Sequence, residues 1–270
     1  MEHRIQIQQS AVPVVRPARR IPFKLRDPVL NKLTEMEQLG LIVKVSDPTD
    51  WVSPMVVARK SNGDIRICLD PADLNGAIKR QHYQVPSAQE IFSRIGKAKY
   101  FSTLDATSGF LQVPLADEST SLTTMATPFG RYKFLRLPFG LSSSPEAYQQ
   151  MMVDLFGDLP GVEVYFDDFF VWGETIEEHN ARLEALFQRC VKVNLRLNKS
   201  KCNFLQPELK YIGHVIGGQT LKPDPDKISA IVSFPHPESK QDVQRFLGMV
   251  NYLAKFCSSL SEMVAPLRVL

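Results

Sequence analysis

The sequence has few of the residues that build disulfide scaffolds or zinc sites. Only four of its 270 residues are cysteines, they lie far apart, and no two form a Cys-x-x-Cys pair. The five histidines do not stand at zinc-ligand spacings from them. These shortages argue against a disulfide-rich domain or a zinc module, and they favour reduced thiols in a cytosolic or nuclear setting.

Long apolar runs, internal repeats and a strong charge of one sign are also missing from the sequence. Because no apolar stretch has the length of a signal peptide or a membrane span, we expect no membrane association. The formal net charge of +3 tolerates a polyanionic partner without requiring one. A hydrophobic content of 44% with 23% charged residues is typical of a globular protein, and 270 residues can bury a sizeable core.

Helical and strand patterns mix along the chain without a regular alternation, which predicts an α+β fold. Residues 1–24 combine several prolines with arginines and predict an extended, basic arm. Helix starts are predicted at Asp27-Pro28 (with a stop at Gly40), Ser144-Pro145, Thr175 with Glu178, and Ser239 with Asp242. Strands are predicted at residues 41–43, 54–57, 65–68, 100–104 and 129–137, with Asn62-Gly63 as a hairpin turn.

Residues 162–172, V-E-V-Y-F-D-D-F-F-V-W, form the most informative segment of the chain. Two short apolar runs bounded by Gly161 and Gly173 predict a β-hairpin with Asp167 and Asp168 at its tip. A tight turn usually contains Asn-Gly or Asp-Gly because it needs positive φ, and two adjacent carboxylates repel each other where water is scarce. A bound cation would resolve this conflict. The alternative is a solvated loop that carries two acids by chance.

A third acid, Asp105, ends the predicted strand in F-S-T-L-D-A-T-S-G-F-L-Q, residues 101–112. If this strand lies beside the hairpin, Asp105 meets Asp167 and Asp168 at one point. Three carboxylates without a nearby His or Cys ligand suit Mg²⁺ or Mn²⁺ better than zinc. Two such ions can bind the attacking and leaving oxygens of a phosphoryl transfer. The sequence therefore favours a two-metal phosphoryl-transfer site.

Six motifs follow one another in a recognisable order that covers residues 25–270. They are R-I-C-L-D-P-A-D-L-N (66–75), Asp105 in its setting, L-R-L-P-F-G-L-S-S-S-P (135–145), Y-F-D-D (165–168), Y-I-G-H (211–214) and Q-R-F-L-G-M-V-N-Y (244–252). Together they resemble the reverse transcriptase of gypsy-class long-terminal-repeat retrotransposons. The resemblance implies a right-hand polymerase fold, with an antiparallel palm sheet backed by helices, fingers and a partial thumb.

The same resemblance implies an order of subdomains and an activity. The fingers would comprise residues 25–81 and 113–143, the palm 82–112 and 144–226, and the start of a truncated thumb 227–270. The implied enzyme is an RNA-directed DNA polymerase that adds dNTPs to a primer 3′-OH on an RNA or DNA template, and it recognises the duplex by shape and backbone. The alternatives are a catalytically weak or inactive remnant that binds nucleic acid and, with less support, a two-metal nuclease.

By position in the motifs, the resemblance assigns the residues of a metal site. Asp105 and Asp167 would be the main ligands of two Mg²⁺ or Mn²⁺ ions, with the Ala106 carbonyl assisting and Asp168 completing the cluster. Lys201 matches the lysine that protonates the leaving pyrophosphate, although the neighbouring Lys199 is an alternative.

The resemblance also assigns a dNTP site. Lys60 and Arg66 would hold the triphosphate, and Phe110 would be an aromatic gate against the ribose 2′-OH. Phe139 and Gly140 would contact the base and the template. Taken without the family, these residues fit surface charges, a core aromatic and a turn. Residues 211–214 would steady the primer end or form a plain hairpin.

Two departures from the family pattern qualify this interpretation. Ala72 stands where many relatives carry a basic residue, so a dNTP or template contact is expected to be weaker. The chain also ends within the implied thumb, which suggests a parent polyprotein continuing into RNase H and integrase regions, or a truncated copy, in a virus-like particle, the cytosol or the nucleus. Scattered basic residues are candidates for contacts to phosphates of a template–primer duplex: Arg19, Arg20, Lys79, Arg80, Arg131, Lys133, Arg136, Arg196 and Lys199.

Overall fold

The computed structural model describes residues 2–59, 63–80, 83–86, 88–217 and 220–268. Its helices are α1 Arg26–Gln38, α2 Ala72–Ala77, α3 Ala88–Ile95, α4 Asp117–Thr120, α5 Ser144–Phe156, α6 Ile176–Val193, α7 Pro225–Val232, α8 Lys240–Asn251 and α9 Leu260–Arg268. Its strands are β1 Ile42–Val45, β2 Ser53–Arg59, β3 Ile65–Leu69, β4 Tyr100–Asp105, β5 Thr124–Thr127, β6 Gly130–Phe134, β7 Val162–Tyr165, β8 Asp168–Gly173, β9 Asn203–Gln206, β10 Glu208–Tyr211, β11 His214–Gly217 and β12 Thr220–Pro223.

The strands form three sheets of mainly antiparallel pairs, which confirms the predicted α+β class. The first sheet has the order β1-β6-β5-β2-β3, and its β2–β5 pair is parallel. The second has the order β7-β8-β4-β9, and the third is the meander β10-β11-β12. None of the helices in the described ranges is long and apolar enough to cross a membrane.

The chain divides into two compact units. One comprises Met1–Val85, Leu104–Phe169 and Leu186–Lys201, and the other comprises Pro86–Thr103, Phe170–Ala185 and Cys202–Leu270. This division does not follow the predicted boundaries of fingers, palm and thumb. The subdomain assignment therefore stays a prediction.

The first unit contains the β1-β6-β5-β2-β3 sheet, with α1 packed on β1 and β3 through Val29, Leu33 and Met36. The N-terminal arm runs across this unit by backbone hydrogen bonds. The His3 N–H donates to the Pro114 carbonyl over 2.8 Å, and the Arg16 N–H donates to the Val52 carbonyl over 2.8 Å. These backbone hydrogen bonds hold the arm on the unit.

The second unit contains the β10-β11-β12 meander and helices α7 to α9. His214 at the start of β11 is buried against the rings of Phe92, Tyr252 and Phe256, with ring centroids 5.3–5.9 Å apart. The predicted start of α8 is confirmed, because Ser239 Oγ accepts a hydrogen bond from the Asp242 N–H over 3.2 Å. The Y-I-G-H segment is thus the tip of a hairpin that packs on an aromatic cluster.

Three local predictions need correction or qualification. Helix α1 begins at Arg26 after a 3-10 turn, without a side-chain cap, so Asp27 lies in the first helical turn, where its charge suits the helix dipole. Thr175 caps α6 as predicted, but Glu178 reaches the Glu174 N–H instead of closing the box on Thr175. Asn62 of the predicted turn lies outside the described residues, although β2 and β3 pair as a hairpin.

Candidate active site

The end of β4 and the turn between β7 and β8 lie side by side. The Ala106 N–H donates a 2.7 Å hydrogen bond to the Asp167 carbonyl, which fixes the residue after Asp105 against the turn. The Asp105 carboxylate lies close enough to raise the pKa values of Asp167 and Asp168. Two segments that are 62 residues apart (105 and 167) therefore bring their acids into one electrostatic cluster.

The tip of the hairpin differs from the predicted one. The turn consists of Phe166 and Asp167, while Asp168 is already the first residue of β8. Phe166 supplies the positive φ that the tight turn needs, with a value of 52°. A bulky residue in this conformation costs about 1–2 kcal/mol, so neighbouring groups must hold it.

Gln149 of α5 holds this turn, and the sequence analysis did not identify it. Its Oε1 accepts a 2.6 Å hydrogen bond from the Phe166 N–H, and its Nε2 donates a 2.8 Å bond to the Val164 carbonyl. The Gln149 side chain is fully buried. A glutamine among the inward positions of a helix, next to Tyr148 and near Met152, is the sequence signal that could have indicated it.

Lys201 is the lysine that reaches the acids. Its Nζ donates to Asp105 Oδ2 over 2.9 Å, and the Asp105 side chain is only 17% exposed. The Asn198 N–H also donates to the Asp105 carbonyl over 2.8 Å, which ties the segment before Lys201 to the end of β4. The structure thus places Lys201 at the acidic cluster, where the sequence had left a choice between this residue and Lys199.

Burial and mutual repulsion raise the pKa values of Asp167 and Asp168 in this cluster. Burial raises the pKa of Asp167 to about 6; Asp105 and Asp168 also raise it, whereas Tyr148 and Lys201 act in the opposite direction. The pKa of Asp168 is raised by the same loss of solvation and by Asp105. Burial also raises the pKa of the Tyr148 hydroxyl, which therefore keeps its proton. These shifts are typical of groups assembled for a cation or a proton transfer.

Carboxylates are suitable ligands for a divalent cation, although these side chains are not grouped around one point. In the described part of the chain, no three His, Cys, Asp or Glu side chains are grouped closely enough to hold a metal ion. Asp105 instead pairs with Lys201, and Asp167 Oδ1 is buried without a hydrogen-bond partner. An unpartnered buried carboxylate oxygen beside two further acids is a donor set that Mg²⁺ or Mn²⁺ would satisfy.

A cavity of about 420 Å³ borders on the loop that follows Asp105. Arg66 lies on its wall, with its guanidinium 5.0 Å from the ring centre of Phe139. Phe139 in turn packs on Phe110, with ring centroids 5.4 Å apart. The cavity is lined by four cationic side chains, Lys32, Arg66, Arg136 and Arg196, and by Glu35, which pairs with Lys32 over 2.7 Å. Arginine side chains of this kind suit a phosphate chain.

The remaining predicted site residues have different surroundings. Gly140 accepts a 2.9 Å hydrogen bond from Asn75, which links the P-F-G-L loop to the L-D-P-A-D-L-N segment. Ala72 is exposed at the start of α2. Its neighbour Asp73 forms a two-pronged ion pair with Arg16 of the arm, with both distances 2.8 Å. Lys60 lies outside the described residues.

The sheets, with acids from two strand ends beside a basic cavity, define the class of the protein as a nucleic-acid polymerase fold. Residues 58–216 match the family described as "Reverse transcriptase (RNA-dependent DNA polymerase)". The chain belongs to this family, and the suspected resemblance is confirmed.

Relatives among transposon polyproteins cover most of this chain. The Retrovirus-related Pol polyprotein from transposon 297 of Drosophila melanogaster is 32% identical over 244 residues, which are 88% of this chain and 23% of that protein. The corresponding polyprotein from transposon gypsy of the same species is 29% identical over 249 residues, 89% of this chain and 24% of that protein. The chain thus spans about a quarter of the length of these relatives.

Solved structures show the same fold. The foamy viral protease-reverse transcriptase in complex with double-stranded DNA matches with a TM-score of 0.87 at 24% identity, over 98% of this chain and 47% of that one. The foamy viral protease-reverse transcriptase in complex with an RNA/DNA hybrid matches with a TM-score of 0.83 at 23% identity, over 98% and 36%. The predicted polymerase fold is therefore confirmed.

We expect Gln149→Leu to destabilise the protein by about 2–4 kcal/mol, because it leaves the Phe166 N–H and the Val164 carbonyl without their partner. Chemical denaturation followed by circular dichroism measures this change. Gln150→Leu is the matched control, since Gln150 is the exposed neighbour on the same helix. Equal unfolding free energies for the two variants would contradict the role of Gln149.

We expect Asp167→Asn to stabilise the metal-free protein at pH 7 by on the order of 1 kcal/mol, after allowance for partial solvation of the carboxyl. The folded pKa of about 6 lies above the usual value of 3.8, so the wild type loses stability as the pH rises from about 4 to about 6. The Asp167→Asn variant has no carboxyl at this position, so its stability does not fall in this pH range for this reason. Melting temperatures between pH 4 and pH 8 measure the difference, with Asp154→Asn on the exposed face of α5 as control. A variant less stable than the wild type at pH 7 would contradict the raised pKa of Asp167.

Proposed function

We propose that this chain is the polymerase part of a longer retrotransposon-type polyprotein and catalyses RNA-directed DNA synthesis. It adds dNTPs to a primer 3′-OH on an RNA or DNA template. The observation that carries the proposal is the meeting of Asp105 with the Asp167 turn beside a basic cavity, in a chain of the reverse transcriptase family. The proposed partner is a template–primer duplex, in keeping with the DNA and RNA/DNA hybrid named for the foamy viral enzymes.

The acidic cluster is the proposed site of two Mg²⁺ or Mn²⁺ ions. Asp105 and Asp167 would be the main ligands, Asp168 would complete the set, and the carbonyl of the buried Ala106 would assist. Bound there, the cations would lower the pKa of the primer hydroxyl and neutralise charge on the leaving pyrophosphate.

Lys201 has two roles in this proposal, one before and one after the cations bind. In the cation-free protein its ammonium neutralises Asp105 over 2.9 Å and so reduces the repulsion among the acids. Once Asp105 serves as a ligand, the ammonium is free at the edge of the cluster. Its side chain is 62% exposed, so it can reach a pyrophosphate and donate a proton to it.

The cavity side of the site is proposed to bind the incoming nucleotide. Arg66, together with Lys60, would hold the triphosphate by charge-assisted hydrogen bonds. Phe139 and Gly140 would contact the base and the template. Phe110, packed between Phe139 and α5, would present its ring where a ribose 2′-OH would lie, so that dNTPs are preferred over rNTPs.

The remaining assignments follow from the family and from the relatives' names. We assign residues 25–81 and 113–143 to the fingers, 82–112 and 144–226 to the palm, and 227–270 to the start of the thumb. The parent polyprotein would carry RNase H and integrase regions and act in a virus-like particle or the cytosol, or in the nucleus.

Primer extension on poly(rA)–oligo(dT) tests the activity. We expect dTTP incorporation that needs Mg²⁺ or Mn²⁺, and a loss of at least about a hundredfold in Asp167→Asn, since charge stabilisation of several kcal/mol disappears. Asp154→Asn should incorporate like the wild type. If Asp167→Asn matched the wild type, the catalytic assignment would be wrong; if no variant incorporated but all bound the duplex, the protein would be a binding remnant.

Sugar selection tests the gate. We expect Phe110→Ala to lower the ratio of kcat/KM for dTTP over UTP by about tenfold or more, because the side chain that would exclude the 2′-OH is removed. Phe129→Ala, at the half-buried turn between β5 and β6, is the control and should keep the wild-type ratio. An unchanged ratio in Phe110→Ala would remove the gate role.

A further inference from the structure

Tyr148 of α5 has an unexplained buried hydroxyl. The residue is 1% exposed, and its hydroxyl oxygen has no hydrogen-bond partner of regular geometry. Buried tyrosine hydroxyls normally have such a partner, because a buried hydroxyl without a hydrogen bond costs free energy. Asp167 Oδ1 is a second buried polar atom without a partner. Two such exceptions in one place indicate a site whose hydrogen bonding is incomplete in the resting protein.

The Tyr148 hydroxyl and Asp167 Oδ1 both lie beside Gly109. A Cβ built on Gly109 would overlap both the Tyr148 hydroxyl and Asp167 Oδ1, so the missing side chain provides the space that they share. The hydroxyl is near enough to Asp167 to lower the pKa of that carboxyl. A hydrogen bond in which the Tyr148 O–H donates to the Asp167 carboxylate would therefore satisfy both atoms.

The ring of Tyr148 has a separate neighbour. It stacks on Phe110, with ring centroids 4.7 Å apart and an interplanar angle of 24°. Phe110 also contacts Phe139, and Arg66 lies over Phe139. Phe110 thus packs against two aromatic rings, of which the fully buried one belongs to Tyr148. Because packed rings resist displacement, the position of the Phe110 ring depends on Tyr148.

We propose that Tyr148 is a positioning residue that links sugar selection to cation binding: its ring sets the place of Phe110, and its hydroxyl orients the Asp167 carboxylate. This inference rests on the proposed polymerase function. In this proposal the Tyr148 hydroxyl does not contact the cations itself but donates a hydrogen bond to Asp167, which ligates them. Such a donor fixes which oxygen of the carboxylate points at the ion. The ring acts through Phe110 and does not need the hydroxyl.

Two substitutions separate these effects. Tyr148→Phe keeps the ring and removes the hydroxyl, whereas Tyr148→Leu removes both. Tyr132→Phe is the matched control, because Tyr132 is a buried tyrosine of β6 in the five-stranded sheet of the same unit. If Tyr148→Leu does not fold, as judged by its thermal transition, Tyr148→Met replaces it, since an unbranched side chain adapts to the same space.

The first readout is Mn²⁺ binding to the protein–duplex complex without nucleotide, followed by electron paramagnetic resonance of the free ion. We expect Tyr148→Phe to weaken binding by about tenfold, which is typical when an outer donor to a metal ligand is lost. Tyr132→Phe should bind Mn²⁺ like the wild type. Equal Mn²⁺ affinity in Tyr148→Phe and the wild type would overturn the part played by the hydroxyl.

The second readout is the ratio of kcat/KM for dTTP over UTP. We expect Tyr148→Phe to keep this ratio within about twofold, while Tyr148→Leu lowers it by about fivefold or more, a change of about 1 kcal/mol in discrimination. An unchanged ratio in Tyr148→Leu would overturn the part played by the ring. A purely structural role would lower both rates together and leave the ratio constant.

The controls distinguish failure of the proposed polymerase function from failure of the Tyr148 role alone. If the wild type neither incorporates dTTP nor loses Mn²⁺ affinity on Asp167→Asn, the proposed function fails, and this inference fails with it. If the wild type is active and metal-dependent but the Tyr148 variants match it in both readouts, only the role of Tyr148 is refuted.

Discussion

The burial of like-charged carboxylates at two neighbouring strand ends governs the geometry of the candidate site. A backbone hydrogen bond from the Ala106 N–H to the Asp167 carbonyl fixes the end of β4 against the turn. Burial, with a smaller contribution from the neighbouring acids, raises the pKa of Asp167 to about 6, and Lys201 forms an ion pair with Asp105. A fold that tolerates this arrangement gives up stability for a site that attracts cations.

Helix α5 provides the support that this constraint requires. Consecutive residues of its buried face act on the turn in different ways: Gln149 holds the backbone of Phe166 in its positive φ, while Tyr148 faces the Asp167 carboxylate. Gly109 leaves the space in which the Tyr148 and Asp167 side chains meet. The geometry of the acids therefore depends on close packing by uncharged residues, because only a rigid surrounding can oppose the repulsion.

The N-terminal arm contacts the segment that carries Ala72. Arg16 and Arg19 form ion pairs with Asp73 and Asp70, on either side of the exposed Ala72. The same segment reaches the P-F-G-L loop through the hydrogen bond that Asn75 donates to the Gly140 carbonyl. Guanidinium groups from the arm are thus present on both sides of Ala72. Exposed pairs of this kind add little stability, so their main effect is to order the arm on this surface.

The sequence by itself determined the α+β class, the family, the strand that ends at Asp105 and the hairpin that carries Asp167, because these depend on local periodicity and on motifs read in order. It placed both acids at the hairpin tip, whereas Phe166 takes the strained turn position. The contacts of Tyr148 and Gln149, the ion pair of Lys201 with Asp105 and the backbone hydrogen bonds of the arm became visible only in the tertiary structure. Each of them is a contact between residues distant in the chain, and no local pattern specifies which distant partner a buried polar group will find.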